Sequence, residues 1–171
     1  MITYIALLRA VNVGGTGKLP MADLKALCER AGFAKVKTYI ASGNVVFESK
    51  LPEAKTKAAL ESELKRYAGK PVGVLLRSAA EMVAILKSNP FPQAAPNLTV
   101  AIFLDAAPPK DTLKNVVHQN AGEEIELGTR EIYVHYPKGQ GDSKLRIPAA
   151  KEGTARNMNT IAKLAEMAAA L

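Results

Sequence analysis

The first 77 residues carry hydrophobic patterns whose order leaves few folds open. Ile2 to Leu8 is apolar on both alternating faces, the mark of a central strand covered on each side. Pro20 suits the first turn of a helix, where its missing N–H would be unpaired in any case. Met21, Leu24, Leu27, Cys28 and Ala31 then recur at helical spacing until Gly32 stops them. Val36, Thr38 and Ile40 alternate with Lys35, Lys37 and Tyr39, which predicts a strand with one wet face. Ala41-Ser42-Gly43-Asn44 reads as a tight turn, because Gly and Asn tolerate positive φ, and Val45 to Glu48 as the returning strand. Pro52 opens a second helix bearing Ala54, Leu60, Leu64 and Tyr67 and ended by Gly69, and Val72 to Leu76 is a fourth strand. Strand–helix–strand–strand–helix–strand is the order of a split βαβ, ferredoxin-like unit.

Beyond residue 77 the signals are shorter. Ser78-Ala79-Ala80-Glu81 has the form of a capping box, followed by a helix with Met82, Val83, Ile85 and Leu86 inward. Asn89-Pro90-Phe91-Pro92 and Ala95-Pro96-Asn97 make residues 88–97 a stiff connection and the expected boundary between subdomains 1–77 and 78–171. Leu98 to Leu104 reads as a strand, Pro108 and Pro109 introduce a short helix to about His118, and Glu124–Leu127 with Glu131–Tyr136 form a hairpin turning at Gly128-Thr129. Thr154 is placed to cap a final helix with Met158, Ile161, Leu164, Ala165 and Ala168 inward. No internal sequence repeat is visible.

Composition narrows the class. With 48% apolar and 23% charged residues, the chain is an ordinary globular protein rather than a disordered one. One cysteine excludes a disulfide framework and favours a reducing compartment. The opening Met1 to Leu8 lacks a basic n-region and no apolar run reaches the length of a membrane span, so the expected location is cytoplasmic, with no membrane partner. The net charge of +7 favours anionic partners. From Lys138 to Lys163 six basic side chains stand against two acidic ones.

Two stretches suit an anion. Leu8 to Lys18 leaves an apolar strand and leads into a helix, with Gly14 and Gly15 freeing the backbone and Arg9 and Lys18 at its two ends. A Walker A motif would need Gly where Asn12 stands and a hydroxyl where Leu19 stands, so this is no P-loop. Glycine-permitted N–H groups, a helix N-terminus and an arginine able to grip two oxygens remain a physical basis for phosphate binding. The second stretch, Thr154 to Thr160, offers Arg156, Asn157 and Asn159 at an expected helix start. Lys138 and Lys144 bracket a second glycine loop, and Ser42 and Asn44 sit in the hairpin turn. Against each stands the plainer reading of a sterically relaxed loop or an amphipathic helix.

Signals for catalysis are weak. His118 and His135 stand at no metal-ligand spacing with a cysteine, so no metal or other cofactor is expected. Glu123, Glu124 and Glu126 crowd a turn where solvation is the simpler fate. Ser62-Glu63-Leu64-Lys65 matches a Ser-x-x-Lys string only inside an amphipathic helix. Cys28 lies on an apolar stripe and reads as an inert buried thiol. Tyr4, Tyr39, Phe47, Tyr133 and Tyr136 offer either a base-stacking face or core packing.

Ala6 to Gly15, Met21 with Leu24, Thr38 to Phe47 and Ala155 to Thr160 together resemble the bacterial family called domain of unknown function 1697, over essentially the whole chain. Ala10, where Gly is expected, and Met158, where Trp is expected, depart from its pattern. The resemblance implies an α+β protein of two ferredoxin-like subdomains packed together, antiparallel-rich, with helices on one face, and no assigned catalytic residues. The leading expectation is a binder of phosphate-bearing ligands, nucleotide or nucleic acid. Arg9, Asn12, Gly14, Gly15 and Lys18 would form one wall and Arg156, Asn157 and Asn159 the other, with Lys138 and Lys144 outside. The alternatives are a small enzyme acting on a phosphorylated metabolite, with Tyr39, Ser42 or Asn44 near its pocket, and a protein–protein interaction module. The expected state is a monomer or weak homodimer.

Overall fold

The computed structural model describes residues 1–9 and 19–171. Among them are eight strands and four α-helices, the strands forming two antiparallel four-stranded sheets, so the protein is of the α+β class. The chain divides into two compact units, Met1–Val83 with Lys163–Leu171, and Ala84–Ala162.

In the first unit β1 (Ile2–Leu8), α1 (Met21–Arg30), β2 (Ala34–Tyr39), β3 (Asn44–Ser49), α2 (Glu53–Ala68) and β4 (Val74–Ser78) follow one another as the patterns predict. The strands lie in the order β2-β3-β1-β4. β1 takes an inner place because both its faces are apolar. Tyr4, Ala6 and Leu8 share one core with Val45, Phe47, Leu76, Leu24, Leu27 and Cys28 of α1, and Leu60 and Leu64 of α2. Ile5 and Leu7, pointing the opposite way, are fully buried too. Burying one such side chain stabilises by about 1.5–3 kcal/mol, which makes this stripe the main force behind the unit. Gly69 ends α2 at φ 73, its N–H donating to Lys65 O at 2.8 Å. The edge strand β2 carries exposed Lys35 and Lys37 and a register shift between Ala34 and Lys37, features that discourage pairing with another chain.

α3 (Ala79–Lys87) follows β4 directly. Its capping box is formed: Ser78 N donates to Glu81 Oε1 at 2.9 Å and Glu81 N to Ser78 Oγ at 3.2 Å. The second unit holds β5 (Thr99–Phe103), β6 (Glu124–Leu127), β7 (Glu131–His135) and β8 (Thr154–Asn157) in the order β6-β7-β5-β8. By chain position this is the strand order of the first unit. Where the first unit has helices, the second has 3-10 turns at Thr112–Asn115 and Pro148–Ala150. Its core is Val100, Ile102, Leu104, Ile132, Val134 and Tyr136, with Leu145 and Ile147 packed against it.

Several expectations need correction. Val83 of α3 is 37% exposed rather than inward, and Glu123 is buried rather than solvated. β2 ends at Tyr39, before Ile40, and the stretch after Pro109 holds only the 3-10 turn Thr112–Asn115 rather than a helix to about His118. Thr154 does not cap the last helix, because Thr154 to Asn157 pair with β5 from Phe103 to Val100. The helix α4 (Met158–Ala169) begins later, and Asn157 Oδ1 accepts from Thr160 N at 2.9 Å. The cap is therefore Asn157.

Candidate functional site

In the first unit β1 leaves its sheet between two glycines. Leu8 N donates to Gly43 O and Arg9 N to Gly73 O, each at 2.9 Å. The aliphatic stem of Arg9 lies across Gly73, where an added Cβ would come within 2.9 Å of Arg9 Cδ. The glycine leaves the space that the arginine stem occupies. Beside it the β2–β3 turn holds Ile40 at φ 50 and 49% exposed, a strained posture for a β-branched residue. Asn44 is fully buried, and its Nδ2 donates to Tyr39 O and Ser42 Oγ, both at 2.9 Å. The Asn44 amide thus shapes the turn, while Ser42 is exposed. Asn12, Gly14, Gly15 and Lys18 lie outside the described residues, as does Ala10.

The second unit contains an open cleft of about 650 Å³ lined by Val117, His118, Ser143, Lys144, Leu145 and Arg146. Its two walls are extended segments joined by one antiparallel bridge, with Val117 N donating to Arg146 O at 3.0 Å and Arg146 N to Val117 O at 2.9 Å. Leu145 and Ile147 pack on the core, so the period-2 alternation turns Lys144 and Arg146 toward solvent, where both are exposed. His118 follows the bridge at φ 60 and is also exposed. Neither Lys144 nor Arg146 makes an ion pair among the described residues.

Glu123, 4% exposed, supports this cleft from behind. It accepts from Ser143 Oγ through Oε2 and from Ala121 N through Oε1 at 2.8 Å. The Ser143 hydroxyl, then the Ala121 N–H, hold its carboxyl below the usual carboxylate range, and the charge of Lys138 adds to this.

Of the expected site residues that are described, only Lys144 lines the cleft. Lys138 stands near Glu123, exposed, with Gly139 beside it at φ 88. Arg156 is 7% exposed on β8, its Nη1 donating to Thr154 Oγ1 at 2.8 Å and Ala155 O at 2.9 Å. Burial pushes this guanidinium down to about 10. Arg156 and Asn157 are thus tied into the strand end and the helix cap, whereas Asn159 is exposed in the first turn of α4. Arg146 and Ser143 are not among the expected site residues, although Lys144-Leu145-Arg146 carries the alternation that would place two cations on one side. His118 shows in the sequence only as a candidate metal ligand, not as a cation beside a lysine and an arginine.

Other chemistry is closed off by burial. Cys28 is fully buried, and desolvation first, then the charge of Glu29, pushes its thiol up to about 12. Tyr4 and Tyr133 are buried with their hydroxyls on Leu51 O at 3.2 Å and Ile85 O at 2.8 Å, and Phe47 stacks on Phe33 at 4.2 Å. These rings form cores, not a base-stacking face. Among the described residues no three His, Cys, Asp or Glu groups are placed to hold a metal ion, and no helix is long and apolar enough to cross a membrane.

A family model described as protein of unknown function DUF1697 matches residues 1–133. The conserved bacterial protein SP0830 from Streptococcus pneumoniae has a solved structure similar to this one, with a TM-score of 0.80 and 24% identity over 98% of each chain. At that identity the likeness is one of fold. No curated protein matches the sequence.

Proposed function

We propose, for a chain that belongs to the DUF1697 family of proteins of unknown function, that it binds a phosphate-bearing ligand in the cleft of its second unit. The observation that carries this reading is the convergence of Lys144, Arg146 and His118 on one concavity of about 650 Å³. That size is within the range of small-molecule sites, roughly 300–1,000 Å³. Arginine offers a planar fork to two phosphate oxygens and lysine a mobile point charge beside it. Val117, 45% exposed, gives the same cleft an apolar side, which suits a nucleotide better than free phosphate. The Arg9 and Gly73 corner of the first unit, with Ser42 near the start of β3, is the second place where this proposal puts an anion. The protein acts as a binder in the cytoplasm, as a monomer or weak homodimer.

Calorimetric titration with ADP and with inorganic pyrophosphate tests it. The expected result is saturable binding that weakens with added salt and falls about tenfold on removing either cation by Lys144→Ala or Arg146→Ala. Absence of heat at millimolar ligand, together with no shift in melting temperature, would overturn it. Salt-sensitive retention of RNA or DNA on a filter, with no response to ADP, would assign the cations to nucleic acid instead.

A further inference from the structure

We infer that Glu123 and Ser143 form a latch that holds the cleft loop in its anion-gripping shape, acting on the ligand through Lys144 and never touching it. This rests on the phosphate-binding reading above. Glu123 is 4% exposed although it sits in a turn before β6, an unusual place for a buried carboxylate. Both of its oxygens are engaged, Oε2 by Ser143 Oγ and Oε1 by Ala121 N at 2.8 Å, and its own carbonyl accepts from Gln119 Nε2 at 2.6 Å. A carboxylate so buried, with a donor on each oxygen, is spent on holding its own loop, which suits a positioning residue rather than a catalytic acid or base.

The consequence lies on the serine side. Ser143 Oγ donates to Glu123 and at the same time accepts from Leu145 N at 3.1 Å. One hydroxyl thereby ties the peptides on either side of Lys144 to a buried anion. Upstream, Ser143 N donates to Gln140 O at 3.2 Å and Gly139 N to Tyr136 O at 2.9 Å, which closes the loop. Without the latch the loop Lys138 to Lys144, with two glycines, is held by these backbone bonds and the Val117–Arg146 bridge but, among the described residues, by no side chain beside Lys144. Lys144 would then pay its ordering entropy on binding, so affinity depends on the latch as well as on the cation.

The test uses the full chain, inorganic pyrophosphate as the probe in calorimetry, and trypsin cleavage of the Lys144–Leu145 bond under native conditions as a readout that needs no ligand. Ser143→Ala is expected to weaken binding about tenfold and to speed cleavage at Lys144, and Ser143→Thr, which keeps the hydroxyl, to restore both. Wild-type affinity and a wild-type cleavage rate in Ser143→Ala would overturn the latch while leaving the phosphate reading intact. If the wild-type protein ignores both pyrophosphate and ADP, that reading fails and cleavage alone decides: an unchanged rate in Ser143→Ala overturns the latch, and a faster one reversed by Ser143→Thr supports it. Should Ser143→Ala fail to fold, Glu123→Gln is read by the same two measurements.

Discussion

Arg77 and Arg156 occupy the same place in their two sheets. Each lies on the last strand of its sheet, paired with the first, Arg77 opposite Ile5 and Arg156 opposite Ala101. Each is buried, and each donates from Nη1 to the carbonyl of the residue before it at 2.9 Å. The next residue caps a helix in both cases: Ser78 Oγ accepts from Glu81 N and Asn157 Oδ1 from Thr160 N. Five and eight residues beyond each arginine the helix buries an apolar side chain, Met82 and Ile85 in one, Ile161 and Leu164 in the other. Strand, arginine, cap and helix thus recur as one module, although only the arginine is shared as a residue type among those positions.

A buried guanidinium should tolerate a long apolar replacement better than a short one. Arg156→Ala leaves a cavity and strips a donor from Thr154 Oγ1 and Ala155 O, a loss of about 2–4 kcal/mol. Arg156→Met fills the space without a charge to desolvate and is expected to recover at least half of that. Urea midpoints of the two variants, measured side by side, check it. Equal losses would mean that hydrogen bonds, not volume, set the cost.

The corrected cap predicts which residue matters at the last helix. Asn157→Ala should cost about 1 kcal/mol and Asn157→Asp much less, since Asp keeps an acceptor for Thr160 N. Denaturation curves distinguish this from a cap at Thr154. Under that alternative Asn157→Ala would be nearly silent.

Gly153 leaves no room for a side chain. A Cβ there would stand 2.6 Å from Phe103 O, a backbone atom of the strand that pairs with β8. Gly153→Ala must shift one backbone or the other, and a loss of about 1–3 kcal/mol is expected. Thermal unfolding measures it, with the exposed Gly141→Ala as the unaffected comparison.

Stability should fall in alkali from a known starting point. The Cys28 thiol rises from 9.0 to about 12 on folding through burial, so the folded state holds its proton more tightly. That contribution is complete below pH 9.0 and is lost as pH climbs toward about 12. Tyr133, raised from 10.0 to about 12 mainly by burial, adds in the same direction one unit later. Arg156, lowered from 12.5 to about 10, runs the other way, gaining stability only above about 10. Urea midpoints between pH 8 and pH 10 should therefore decline, and Cys28→Ala should flatten that decline. A wild-type profile without slope in that interval contradicts the argument.

Most of the first unit could be read from the chain because its signals are local and agree. Alternation marks β2, helical spacing marks α1 and α2, and Pro20, Pro52 and Gly69 mark their ends. The capping box at Ser78 was legible for the same reason, since donor and acceptor are three residues apart. Residues 154–157 misled because Thr, Arg and Asn before an apolar stripe look like a helix start from sequence alone. Pairing with β5, some fifty residues away, turned them into a strand.

Sequence by itself determined the class of fold, the burial of Cys28 and the placing of apolar stripes, because these follow from periods of two and 3.6 along a short window. Tertiary structure alone decided that Arg156 is enclosed rather than offered to solvent. It also decided that Glu123 reaches Ser143 twenty residues on, and that Val117 and His118 come to face Lys144 and Arg146. Those are contacts between segments whose spacing carries no period, set by how strands pair and where loops close.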